Sequence, residues 1–193
     1  MAHADPARPK VAHAFLSFSG PIYDASLDML LGNIGHYINE GAQRITLLLS
    51  TPGGNVPNGF HLFNVLTSLP VEIETHNVGS VDSIGMIVFL AGRRRYACDN
   101  TTFMIHGVEL EPSVMPLSEA IVEQRVKRIA LDQERIARTL ATTMNIGQKE
   151  ISELMRSTVL LGPDEAKGYG LVHEVKPVEV PPGCPFLQVI PPR

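Results

Sequence analysis

Apolar residues in this chain fall into short continuous runs separated by stripes at helical spacing. Residues 11–18 read as a first strand, broken by Gly20-Pro21. Leu27, Leu30, Leu31, Ile34 and Ile38 recur at intervals of three and four, which predicts a helix capped by Asp24 or Ser26 and ended at Gly41. Residues 45–49 are apolar almost throughout, as in a strand buried on both faces of a parallel sheet. A loop at Thr51-Pro52-Gly53-Gly54 leads to a second helix over about 57–68, expected to bury Phe60, Phe63, Val65 and Leu66. A strand over 71–78, a turn at Gly79-Ser80-Val81-Asp82 and a helix over 83–90 follow; the helix is apolar on all sides and so belongs in the centre. Gly92 stops it, Arg93-Arg94-Arg95 is expected in solvent, and short strands follow at 96–98 and 102–105.

Strands and helices thus alternate from 11 to 105, which argues a stacked βαβ core with right-handed crossovers. The pattern then changes. Ile121, Val126, Ile129, Ile136, Leu140 and Met144 stripe one long helix over about 118–143, with Glu123/Lys127 and Glu134/Arg138 on its wet side. Such a helix would run about 39 Å, long for one that only covers a small sheet. It is expected to project from the core, its stripe buried by a partner subunit. Further helices are expected at 147–157 and 163–169, the latter closed by Gly170 in a left-handed cap, and a last strand at 171–175. Residues 1–10 read as a disordered arm. Residues 176–193, with Pro177, Pro181, Pro182, Pro185, Pro191 and Pro192, read as an extended tail.

Composition narrows the function classes. The 193 residues are 44% hydrophobic and 19% charged, which suits one globular domain and excludes a disordered polymer. A net charge of −4 gives no pull toward nucleic acid or an anionic membrane. The longest apolar run, 84–91, is too short to span a bilayer, and no apolar leader is visible. Cys98 and Cys184 cannot form a disulfide framework, and a reduced, cytoplasmic setting is expected. The seven histidines show no ligand spacing such as HExxH, so neither a metal nor another cofactor is expected.

Three local features could carry chemistry. Gly53-Gly54 after a buried strand allows close backbone approach and can aim adjacent N–H groups at an anion; it also suits a simple tight turn. Ser83 lies in Gly79-Ser80-Val81-Asp82-Ser83-Ile84-Gly85, at a strand–turn–helix junction where a serine can be a nucleophile or only an N-cap. Ser80 competes with it but lies farther from the helix start. His106 sits where a strand exits to a loop, as a base or as a structural group. Together they are more specific than singly. A serine can attack a carbonyl if a histidine takes its proton, and the oxyanion then needs preorganised N–H donors.

Between about residues 15 and 175 the chain resembles the proteolytic subunit of Clp protease, the ClpP family. Ser50-Thr51-Pro52-Gly53-Gly54 is similar to that family's Ser-Pro-Gly-Gly segment, with one extra residue. Gly79 to Gly85 matches its G-x-x-x-S-x-G segment, and Phe103-Met104-Ile105-His106 its M-I-H segment. Glu165-Ala166-Lys167-Gly168-Tyr169-Gly170-Leu171-Val172 matches E-A-x-x-Y-G-L-[IV]. The resemblance implies an α/β fold with a layered βαβ superhelical core of the ClpP/crotonase type and a long projecting handle helix. It implies Ser83 as nucleophile and His106 as general base. Oxyanion donors would be the N–H groups of Gly54 and Ile84, with Gly53 shaping the turn. The implied reaction is peptide-bond hydrolysis through an acyl-enzyme.

The chain departs from that pattern in four places. The family's third catalytic residue, an Asp, aligns with Thr158, whose hydroxyl can orient an imidazole but cannot stabilise imidazolium as a carboxylate does. Asp164 is near in sequence but belongs to the short helix. The Arg-Asp pair that engages two rings is missing, and Gly107-Val108 replaces a Gln-Pro. Only about ten polar residues precede the first strand, so docking of an AAA+ unfoldase is not expected. Three readings follow: an active serine peptidase on short or unfolded peptides, a weakened or inactive ring subunit acting as an assembly partner, or a crotonase-type acyl-CoA enzyme. Both ClpP-like readings expect a homo-oligomeric ring of six or seven subunits. Sedimentation at micromolar concentration should therefore find an assembly, and a monomer would remove the argument built on the long helix.

Overall fold

The computed structural model describes residues 11–109 and 118–189. Its centre is an eight-stranded sheet built mainly from parallel pairs. The strands are β1 (His13–Ser19), β2 (Arg44–Thr51), β3 (Glu72–Asp82), β4 (Arg94–Ala97), β5 (Thr102–Ile105), β6 (Val159–Leu161), β7 (Glu174–Val175) and β8 (Phe186–Val189). The main path is β6-β5-β3-β2-β1-β8, while β4 pairs with β3 and β7 with β4. Only β6 runs antiparallel to its neighbour, with Ile105 opposite Val159. The largely apolar run 45–49 of β2 has its expected outcome: Ile45, Leu47, Leu48 and Leu49 are all buried. Thr46, the polar residue among them, is satisfied by His13 at 2.8 Å and donates to Glu74 at 3.0 Å.

The helices are α1 (Asp24–Asn39), α2 (Val56–Ser68), α3 (Gly85–Phe89), α4 (Glu119–Ala141), α5 (Gln148–Ser157) and α6 (Pro163–Gly168). At the start of α1 the cap is Tyr23, not Asp24 or Ser26. Its N–H donates to the Ser26 hydroxyl at 2.8 Å, and that hydroxyl donates back to the Tyr23 carbonyl at 2.8 Å. In α2 the fully buried positions are Gly59, Leu62 and the expected Leu66, while Phe60, Phe63 and Val65 are only partly buried. The all-apolar helix is as central as expected: all five residues of α3 are buried.

The largest difference from the sequence reading is at residues 79–82. They form no turn. β3 runs through them, pairing with β4 from Glu74 to Asn77 and then with β5 from Ser80 to Asp82. The Asn77 side chain makes the transfer possible: its carboxamide donates to the Thr102 carbonyl at 2.8 Å and accepts from the Gly79 N–H at 3.0 Å. Arg95 also departs from expectation. It is half-buried, not solvated, and bonds the carbonyls of Leu171 (2.7 Å), Gly92 (3.1 Å) and Gly170 (3.3 Å). These bonds tie the segment after α6 to the sheet, where only Glu174–Val175 of the expected 171–175 strand is paired. Part of the proline-rich tail returns as β8, whose Val189 is buried beside β1.

The long helix extends over 23 residues, capped by Ser118, whose hydroxyl accepts from Ile121 N–H at 3.4 Å. Its C-terminal half is anchored: Asp132 is buried and pairs with Arg128 and Arg135, each at 3.2 Å, and Arg135 lies 4.1 Å over the Phe60 ring. Its N-terminal half leaves Val122 43% and Val126 58% exposed, and Leu131 just beyond is 52% exposed. The Arg95 clamp generates a prediction. Arg95→Ala strands three buried or half-buried carbonyls and should lower stability by about 2–4 kcal/mol, read as an earlier denaturation midpoint.

Candidate active site

Beyond Asp82 the backbone turns sharply before α3. Ser83 sits in this turn at φ 55, and Thr158 at φ 52; among the described residues these are the two non-glycine residues with positive φ. A left-handed serine is uncommon and strained, and such strain persists only where the surroundings fix it. Here the Ser83 N–H donates to the Met104 carbonyl of β5 at 2.9 Å. Ser83 is therefore no N-cap. Ile84 occupies that position in α3 and makes no side-chain cap bond.

The Gly53-Gly54 turn lies against this serine. At Gly53, with φ 90, a Cβ would stand 2.7 Å from Ser83 Cβ and 2.9 Å from the Asp82 carbonyl, so no side chain fits. At Gly54, with φ 143, a Cβ would overlap the Ile22 carbonyl. The Gly53 N–H is already used, donating to Thr51 Oγ1 at 3.1 Å. Gly54 and Ile84 have no acceptor for their N–H groups among the described residues, which suits the oxyanion role expected of that pair. His106 follows β5. Its ring shares with Ser83 and Gly54 a cleft of about 210 Å³ whose other walls include Met86, Ile136, Leu140 and Met155.

So the three segments singled out from the sequence meet in one cleft. Thr158 is brought near but not in. It caps α5 one residue before the register of β5 and β6, which ends with Ile105 opposite Val159, yet it is exposed and does not line the cleft. Asp164 is in the first turn of α6, and Ser80 is in β3. Two acidic residues near His106 escaped the sequence reading. Glu109 lines the cleft, with its carboxylate 3.7 Å from His106 Nδ1. Asp82 bonds Ser80 and the Met104 backbone, while its Oδ1 is buried without a partner. Their signals were spacing of three from the histidine and adjacency to the serine. Neither spacing is diagnostic without the loop and strand geometry.

A family model described as Clp protease matches residues 14–179. The chain belongs to the Clp protease family. It is 25% identical over 140 residues to an "ATP-dependent Clp protease proteolytic subunit" of Bdellovibrio bacteriovorus, covering 72% of this chain and 66% of that one. A protein of the same description from Paracoccus denitrificans is 24% identical over 160 residues, covering 81% of this chain and 78% of the relative. Among solved structures, a mutant of ClpP1 from Listeria monocytogenes superposes with a TM-score of 0.73 at 24% identity, over 86% of this chain and 91% of that one. This likeness shows a ClpP fold. Among the described residues no helix is long and apolar enough to cross a membrane, and no group of three His, Cys, Asp or Glu could hold a metal ion.

Burial raises the Asp82 carboxyl above its ordinary value, with the Ser80 and Met104 bonds opposing the shift. A carboxyl raised in the folded state binds its proton more tightly there than in the unfolded chain. Ionising it therefore removes stability as pH rises from the unfolded value through the folded one. Asp82→Asn should melt later than the native chain at neutral pH, and the gap should close in acid, below the ordinary aspartate range. Equal melting curves at pH 7 would show that Asp82 is not penalised by its burial.

Proposed function

We propose that the chain is a serine-type peptidase that hydrolyses peptide bonds of short or unfolded peptides through an acyl-enzyme on Ser83. The carrying observation is the left-handed Ser83 at the end of β3, held in one cleft with His106 and the Gly53-Gly54 turn. Ser83 Oγ bonds to the substrate carbonyl carbon as His106 takes the hydroxyl proton. The resulting oxyanion accepts from the N–H groups of Gly54 and Ile84; Gly53 shapes the turn that aims them. His106 returns the proton to the leaving nitrogen as the C–N bond breaks. Water, deprotonated by the same ring, then cleaves the ester and regenerates Ser83. The two relatives carry the name of proteolytic subunits, and the same class of reaction is the one proposed for this chain.

The exposed apolar residues on the first turns of α4 support a homo-oligomeric ring in which a second copy covers that half of the helix. A second reading, an inactive or weakened ring subunit, is favoured by one observation. Thr158 stands where the family's acid aligns, and it is exposed. The intact Ser83, His106 and oxyanion turn favour activity. They have no evident role in a crotonase-type acyl-CoA reaction.

A fluorophosphonate probe should add its mass at Ser83 of the native chain, and Ser83→Ala should abolish labelling and turnover. A ring that does not label would establish the second reading. Thr158→Asp should raise kcat for a small peptide ester by about tenfold or more, because it sets a carboxylate beside the end of the Ile105–Val159 pairing, where β5 leads into His106. Asp also tolerates positive φ better than β-branched Thr, so the variant should fold at least as well.

A further inference from the structure

If Thr158 supplies no charge, the base of the proposed reaction needs another partner. We propose that Glu109 is the positioning residue of His106, and that its carboxylate holds the ring in the Nδ1–H tautomer, leaving Nε2 unprotonated to receive the serine proton. The inference rests in part on the peptidase reading above.

The histidine and this acid are neighbours along one short loop. His106 Nδ1 and Glu109 Oε1 are 3.7 Å apart, the ring 18% exposed and the carboxylate 85% exposed. Residues 106–109 have no regular structure. At Gly107 the loop passes beside α4 and α5, where a Cβ would be in ordinary contact with Gln133 at 3.4 Å and the Met155 carbonyl at 3.6 Å. From this loop a glutamate three residues after the histidine has the reach to return to Nδ1. The separation exceeds a hydrogen bond, and catalytic contacts are commonly long before substrate binds and shorten afterwards.

The other elements around the ring offer less. Thr158, next to β6, is exposed. From α4 and α5 the cleft receives Ile136, Leu140 and Met155, all apolar. From β3 comes Asp82, which bonds Ser80 and the Met104 backbone, keeps Oδ1 unpartnered and lies beyond ion-pair distance of the ring. Among the described residues, Glu109 is the carboxylate within ion-pair distance of this ring. Which nitrogen of a neutral imidazole carries the proton is decided by the bond the other nitrogen makes. In water the proton favours Nε2, the wrong nitrogen for a base that must accept there. An acceptor at Nδ1 reverses the preference, and it stabilises the imidazolium formed when Ser83 is attacking.

The test is a nitrogen-15 spectrum of the histidine rings in the full-length chain at pH 8, with His106 assigned by its loss in His106→Gln. The native chain should show the proton on Nδ1. Glu109→Ala should move it to Nε2, and Glu109→Gln should keep it on Nδ1, since the amide oxygen still accepts. A packing role alone would leave the tautomer unmoved in all three. The same tautomer in native and Glu109→Ala chains overturns the proposal; so does a change caused by Asp82→Asn and not by Glu109→Ala. In parallel, fluorophosphonate labelling of Ser83 should slow by roughly tenfold in Glu109→Ala. If Ser83 labels in none of these chains, the peptidase reading fails, while the ring spectrum still decides the role of Glu109.

Discussion

The backbone hydrogen bonds of β3 are divided between two neighbours, and the cleft exists because of that division. Its first half is committed to β4 and its last three residues to β5. On its other side the register with β2 slips between Leu49 and Thr51, so Thr51 meets Val81. The slip and the change of partner occur at the same level of the sheet. Every N–H and C=O released by one neighbour must find another acceptor or donor, and the Asn77 carboxamide supplies two of the replacements. The result is that β2, β3 and β5 end side by side. Their following residues (Gly53, Ser83 and His106) come from points far apart in sequence and need no long loop to meet.

Much of this was legible in the sequence. Runs such as 45–49 and stripes such as Leu27–Leu30–Ile34 depend on burial, and burial is what the hydrophobic pattern encodes. The meeting of the Gly-Gly turn, Ser83 and His106 was legible because each followed its own strand. What stayed hidden was hydrogen bonding that overrides local propensity. Gly79-Ser80-Val81-Asp82 carries turn chemistry, yet a neighbouring strand captures it. Arg93-Arg94-Arg95 looks like a solvated basic run, yet the carbonyls of Gly92, Gly170 and Leu171, from two separate segments, converge on Arg95. Glu109 was unreadable for a similar reason: its approach to His106 depends on the path of residues 106–109, which follow β5 with no regular structure.

Polar groups inside the sheet are satisfied with few exceptions. Glu74 is buried, receives the Thr46 hydroxyl, and has Arg44 at 3.6 Å. Burial lowers His13 and His76 below the ordinary histidine value, so both rings are neutral in neutral solution. The exceptions are informative by location. Asp82 Oδ1, buried without a partner, adjoins the strained serine. Unfavourable geometry and an unfavourable charge thus occur at consecutive residues. Stability is given up at the two residues that lead from β3 into the cleft, and the surrounding strands hold them there.

The return of the C-terminal segment as β8 has a meaning for the molecule's solubility. β1 would otherwise be the open margin of the sheet, with unpaired N–H and C=O groups and the apolar side chains of Phe15, Leu16 and Phe18 beside them. β8 lies along it from Phe15–Phe186 to Phe18–Val189, and the Phe15 N–H donates to the Pro185 carbonyl at 2.9 Å. An uncovered margin of this kind is a template on which a second chain can add strand to strand, the first step of aggregation. The covering strand is itself only four residues long and is preceded by prolines, which offer a newcomer little to pair with. The proline-rich end of the chain thus serves as a selvedge: it finishes the sheet and keeps one molecule from being woven into the next.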